Sequence, residues 1–146
     1  MRKFFFVASI GVIAACGSRH ATPKVVPVSP IRSIAIVTGD PLAAPIGTEL
    51  FNQGFRTFEV PATQDLSPKA LQALSSRGVD GVLVVRSKKE GFDPIPVSAS
   101  VRLIRTQTAG TAADFAWSRS SQSVPKSLTD IARGLVRTLL QSVPRP

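Results

Sequence analysis

Gly78-Val79-Asp80-Gly81-Val82-Leu83-Val84-Val85-Arg86-Ser87 is the stretch that decides the fold. Val82 to Val85 offers no polar position on either side, whereas a strand with one wet face alternates, so the run belongs inside a sheet covered on both faces. Immediately upstream, Leu66-Ser67-Pro68 supplies a staple residue, an N-cap and a proline for the first helical position. Ala70, Leu71 and Leu74 form the apolar stripe of that helix, and Gly78 ends it. Before it, Arg56 to Val60 reads as a short strand with Phe58 and Val60 on one face and Glu59 on the other, stopped by Pro61. A helix precedes this strand, beginning after Ala44 with Pro45 in its first turn and ending at Gly54. Its inward residues are expected to be Ile46, Leu50 and Phe51. Ile31 to Thr38 (IRSIAIVT) is again apolar on both faces over Ile34 to Val37, and Gly39-Asp40-Pro41 breaks it. Strands separated by helices in this way are most simply parallel, with right-handed crossovers.

Working outward toward the C-terminus, Lys88 to Pro96 is a polar break with Gly91, Pro94 and Pro96. Val97, Ala99, Val101 and Leu103 then alternate with Ser98, Ser100 and Arg102, the period of a half-exposed strand. Thr106 to Gly110 is a turn, and Ala113, Phe115 and Trp117 alternate with Asp114, Ala116 and Ser118, which predicts an antiparallel hairpin. Trp117 is expected as a core aromatic beneath the last helix. Arg119 to Lys126 is loop. Ser127-Leu128-Thr129-Asp130 resembles a capping box, and Leu128, Ile131, Ala132, Leu135, Val136 and Leu139 form one helical face. The fold class is therefore α/β (α+β mixed): a single mixed sheet of about five strands, chain order β-α-β-α-β-β-β-α, with three helices packed on it. The domain is expected over residues 31–142, with a frayed tail at 143–146.

The N-terminus gives an address. Met1-Arg2-Lys3 is a positive start, Phe4 to Ala15 an apolar run, and Ala14-Ala15-Cys16 a small-residue exit. Crossing a bilayer takes about 20 apolar residues, so this is the anatomy of a secretory signal. With Ile13 ahead of the alanines, it resembles the lipobox of bacterial lipoprotein precursors. That resemblance implies removal of residues 1–15 and acylation of Cys16, which would become the first mature residue and anchor the chain to a membrane through its acyl chains. Gly17 follows in place of the aspartate that holds such proteins at the inner membrane, which implies the outer membrane, with the domain facing the periplasm. Residues 16–30 hold Pro23, Pro27 and Pro30 and read as the lipidated Cys and a flexible tether reaching roughly 40 Å in a polyproline conformation.

Charge and residue types exclude several functions. The 146 residues carry 18 Lys and Arg against 9 Asp and Glu, a net charge of +9. In the cytosol such a surplus would suggest nucleic acid; export turns it toward lipopolysaccharide, acidic cell-wall polymer or an acidic protein, and no nucleic-acid partner is expected. Arg86, Lys88, Lys89, Arg102 and Arg105 are the candidate polyanion contacts. One Cys and one His, Cys16 and His20, both near the N-terminus, exclude the usual Ser/His/Asp and Cys/His arrangements and a Cys/His metal cage. The acidic residues stand singly, and no phosphate-binding glycine motif is present. Asp80 is expected to satisfy backbone donors at the start of its strand. No catalytic residue, metal or cofactor is expected, and the chain is not expected to be an enzyme.

Several stretches share a wording: Ile34-Ala35-Ile36-Val37 followed by Gly39-Asp40-Pro41; Gly54-Phe55-Arg56-Thr57-Phe58-Glu59-Val60; Gly78-Val79-Asp80-Gly81-Val82-Leu83-Val84; and Val101-Arg102-Leu103-Ile104 through Thr108-Ala109-Gly110. Together, over about residues 31 to 140, they resemble a family of envelope lipoprotein domains. It includes the lipoprotein activators of penicillin-binding proteins, the periplasmic core of the curli secretion channel lipoprotein and the amino-terminal domain of the Tol-system propeller protein. The loop between Thr38 and Ala44 is shorter and less polar than that family's, Lys88 to Pro96 is too short for a membrane-spanning hairpin, and propeller repeats are absent. The resemblance implies a non-enzymatic binding or regulatory module that docks onto another envelope protein, a cell-wall synthase being one candidate. The alternative expectation is a basic lipoprotein that contacts lipopolysaccharide or cell wall.

Overall fold

The computed structural model of the protein describes residues 28–120 and 124–143. Cys16, His20 and residues 1–15, expected from sequence to be a signal, lie outside them. Eight elements follow one another in the expected order: β1 (Ser33–Val37), α1 (Ala43–Asn52), β2 (Arg56–Val60), α2 (Pro68–Ser76), β3 (Gly81–Lys88), β4 (Ser98–Arg105), β5 (Thr111–Ser118) and α3 (Leu128–Ser142). They build one open five-stranded sheet in the order β2-β1-β3-β4-β5. The β1/β2 and β1/β3 pairs are parallel, and β3/β4 and β4/β5 are antiparallel.

Local chemistry explains the boundaries. Ser67 caps α2 by accepting from the Ala70 amide, Pro68 opens the helix, and Gly78 follows it with φ near +81°, the left-handed conformation that glycine adopts without a Cβ clash. Ser127 caps α3 in the same manner, accepting from the Asp130 amide. At α1 the cap residue is Leu42, which has no side-chain acceptor; Asp40 takes the role from outside by accepting the Leu42 amide at 2.9 Å.

Side chains alternate across the sheet, so the two faces have separate cores. On one face Ile34 and Ile36 of β1, Leu83 and Val85 of β3 and Ala99, Val101 and Leu103 of β4 pack against α1 and α3. Ile46 and Leu50 come from α1, and Ile131, Leu135, Val136 and Leu139 from α3. On the other face Ala35 and Val82 meet Leu71 and Leu74 of α2, with Val79 beside them. The two helix layers therefore lie on opposite sides. A helix with its side chains is about 10 Å across and strands lie about 4.8 Å apart, so one helix shields about two strands and two helices about four. α1 and α3 close their face. α2 cannot close its own.

Two details depart from the sequence reading. Phe51 does not point inward: it is 68% exposed, because Ile46 and Leu50 already take the buried side of α1 and Phe51 lies about 100° further round the helix. Val143, assigned to the frayed tail, is 3% exposed and completes the core beneath α3. Phe58 and Val60 share the face expected of them, opposite Glu59, and Phe58 is 44% exposed because its strand is the sheet edge. Trp117 packs half-buried against the α1/α3 core, and the apolar run of β3 lies in the central strand of the sheet.

Candidate functional site

Acidic groups are the first place to look for chemistry, and four aspartates are committed to structural hydrogen bonds. One oxygen of Asp80 accepts the amides of Arg32 and Ser33 at 2.8 and 3.0 Å and the Ser33 hydroxyl at 2.9 Å. The Asp80 amide returns a bond to Ser33. This clasp joins the starts of the parallel strands β1 and β3, the structural role expected of Asp80. Asp40 forms a second clasp at the opposite ends of those strands, accepting the Ser87 amide at 2.6 Å and its hydroxyl at 3.0 Å. In open α/β sheets ligands enter the crevice beyond the carboxyl ends of strands where the connections diverge. Here that place is occupied by Asp40 and Ser87.

Asp65 and Asp93 repeat the pattern. Asp65 accepts from the hydroxyl and amide of Ser67, and these bonds, the hydroxyl first, hold its carboxyl below the ordinary 3.8. Asp93 is lowered in the same direction, chiefly by the Ile95 amide and then by the Arg119 guanidinium. Arg119 also donates to the Ile95 carbonyl, so it ties the segment after β3 to the end of β5. No cluster of three or more metal-ligating side chains occurs among the described residues. None of the described helices is long and apolar enough to cross a membrane.

What the fold does leave available is surface. α2 and Leu66 cover Ala35 and Val82 and reach as far as Ile104, leaving the outer part of that face, over β3, β4 and β5, without a helix. Strand register lays out its side chains as rungs. Val84, Arg102 and Asp114 form one rung; Arg86, Ser100 and Ala116 the next; Lys88, Ser98 and Ser118 the last. Arg102 pairs with Asp114 at 2.8 Å, both exposed. Arg86 and Lys88 have no ion-pair partner among the described residues. A shallow hollow of about 180 Å³ between Leu66, Val84, Arg86 and Arg102 gives the surface a small apolar floor.

The five basic residues singled out in sequence thus separate. Arg86, Lys88 and Arg102 share this open face, Lys89 follows β3 in the adjoining segment, and Arg105 sits at the far end of β4, donating to the Ser29 carbonyl at 2.8 Å. Sequence reasoning missed a second surface. Phe51 and Phe58, both exposed, flank a cleft of about 360 Å³ between α1 and edge strand β2. A phenylalanine at each end of a strand-helix junction gives no periodic sign that both face outward. The Arg119–Asp93 pair was equally hidden, since its partners are far apart in the chain and meet only through the hairpin.

No family model matches the chain, and no curated protein matches it. Among solved structures, TolB from Acinetobacter baumannii matches with a TM-score of 0.51 at 14% identity, over 78% of this chain and 28% of that one. Lipoprotein GNA1162 from Neisseria meningitidis matches with a TM-score of 0.42 at 15% identity, over 75% and 96%. Protein XCC0632 from Xanthomonas campestris matches with a TM-score of 0.37 at 14% identity, over 80% and 90%. This chain spans about 28% of the length of the TolB structure, and the likeness to it is one of fold.

Proposed function

We propose that the protein is a non-enzymatic binding or regulatory module of the bacterial envelope. It is lipid-anchored through Cys16, held at the outer membrane facing the periplasm, and docks onto another envelope protein such as a cell-wall synthase. The single observation that supports docking most strongly is the sheet face over β3 to β5, which is ordered by a full antiparallel ladder yet carries no helix. A polar surface with more bases than acids, a small apolar floor and fixed spacing suits a protein partner with carboxylates around a small apolar contact. The two carboxylate clasps also support a non-catalytic reading, because a general acid or base needs a carboxyl group that is not already spent on the backbone.

One observation favours a second reading. Arg86 and Lys88 face outward without carboxylate partners among the described residues, as a contact for lipopolysaccharide or cell-wall polymer would require, with Lys89, Arg102 and Arg105 as further contributors. Salt separates the two, since exposed charge contacts are screened within about 8 Å at physiological ionic strength. The test is crosslinking in cells followed by recovery of the lipoprotein at low and high salt, with Cys16→Ser as the mislocalised control. A protein partner retained at high salt and lost in the control supports docking. Recovery only of lipopolysaccharide or cell wall, released by salt, replaces it with the polyanion reading.

A further inference from the structure

The edge strand β2 carries an inference independent of the open face. In its parallel ladder with β1, the Arg56 amide donates to the Arg32 carbonyl and the Val60 carbonyl accepts from the Thr38 amide, so the even-numbered residues of β2 face inward. The amides and carbonyls of Thr57 and Glu59 therefore point away from the sheet, into solvent. The run is bounded: the Phe55 amide is already donated to Leu50, and Pro61 has no amide to give. Beside it, on the α1 layer, Ala44, Thr48 and Phe51 form an exposed stripe along the cleft next to Thr57 and Glu59. The edge is short and carries Arg56 and Glu59, yet two exposed phenylalanines, Phe51 and Phe58, flank it.

We infer that β2 and the exposed stripe of α1 form a two-fold interface between two copies of this chain. A two-fold axis perpendicular to the sheet keeps each copy's faces aligned, so residues of like parity must oppose. With Glu59 opposite Glu59 of the partner, like charges would be in register, which destabilises a strand pair. The register centred on Phe58 removes that conflict: Thr57 opposes Glu59 of the partner twice, and all eight outward amides and carbonyls of the two edges are used in four hydrogen bonds. Phe58 then meets its own copy on one face, and the Arg56 stem lies across Val60. On the other face the axis brings α1 against α1, with Ala44, Thr48 and Phe51 of each helix covering the other's cleft. A foreign strand could satisfy the backbone but would lack the second layer that covers Phe51. A second copy carries a helix at that height by construction, which is the condition for an isologous contact. The open face of β3 to β5 stays free, since it lies at the opposite side of the sheet.

The test uses the full chain with Cys16→Ser, which removes the sequence's single thiol. Phe58→Cys is added, because a directly opposed pair of this kind has Cα atoms about 4.5 Å apart, within disulfide range. The expected results are a two-chain mass in sedimentation and a disulfide-linked dimer at Phe58→Cys but not at Arg77→Cys. Phe51→Glu and Thr57→Pro, both at exposed or outward positions, should weaken association at least about tenfold while leaving the fold intact by circular dichroism. A one-chain mass, or a two-chain mass without the 58–58 link, overturns the interface.

Discussion

The two faces of one sheet are finished differently. On the face beneath α1 and α3, β4 contributes Ala99, Val101 and Leu103 to a continuous core; on the other, the same strand turns Ser98, Ser100 and Arg102 to water. β1 and the first half of β3 are apolar toward both sides because a helix layer lies on each, α2 covering Ala35 and Val82. The difference teaches that burial in this domain is set by how many strands a helix can shield. A nine-residue α2 leaves the hairpin half of its face open, and the sequence there turns polar at Ser98, Ser100, Arg102, Asp114 and Ser118.

The contrast can be broken most forcefully from the closed side. Leu103→Ala, at a fully buried position, should cost about 2–5 kcal/mol in chemical denaturation, while Val84→Ala on the open side should cost about 1 kcal/mol or less. Equal losses would contradict the division. Next in size is the clasp between the starts of β1 and β3. Asp80→Ala strands two amides and a hydroxyl, for an expected loss of about 2–3 kcal/mol, and protection of the Arg32 and Ser33 amides in hydrogen exchange should fall with it.

A smaller effect is read by acid titration. The folded carboxyl of Asp93 titrates below its ordinary 3.8, so its contribution to stability is fully present above that value and is lost as pH falls through the lowered folded value. Asp93→Asn should remove that part of the pH dependence, and an unchanged acid limb would show that the Ile95 and Arg119 contacts do not persist in solution. Smallest of all, Arg86→Ala and Arg102→Ala should shift stability by no more than about 0.5 kcal/mol while lowering partner recovery, since neither side chain supports the core.

Much of this division is legible in the sequence. Val82 to Val85 reads as doubly covered and Val97 to Leu103 as half-exposed, and period alone carries both. Caps at Ser67 and Ser127 and the glycines at 54 and 78 fix helix boundaries for local steric reasons, which is why they can be read without a partner. Phe51 shows where this stops. Helical period places it at the margin of the apolar stripe, and whether the margin is covered depends on α1 lying at a sheet edge, a fact of strand order. The basic candidates were legible as residues but not as a surface: Arg86 and Arg102 become neighbours through the β3/β4 register, and that same register carries Arg105 to the opposite end. Asp40 and Ser87, 47 residues apart, show the limit again, because only the parallel packing of β1 and β3 brings them within a hydrogen bond.

The most direct measurement places a photoreactive side chain on each side of this contrast in the full chain, at Ser100 on the open face and at Arg133 on the outer side of α3, and irradiates living cells. A discrete adduct with one envelope protein at Ser100, absent at Arg133 and abolished by Arg86→Glu, is the predicted result. Adducts of equal yield at both positions, or at Arg133 alone, would contradict docking through the open face.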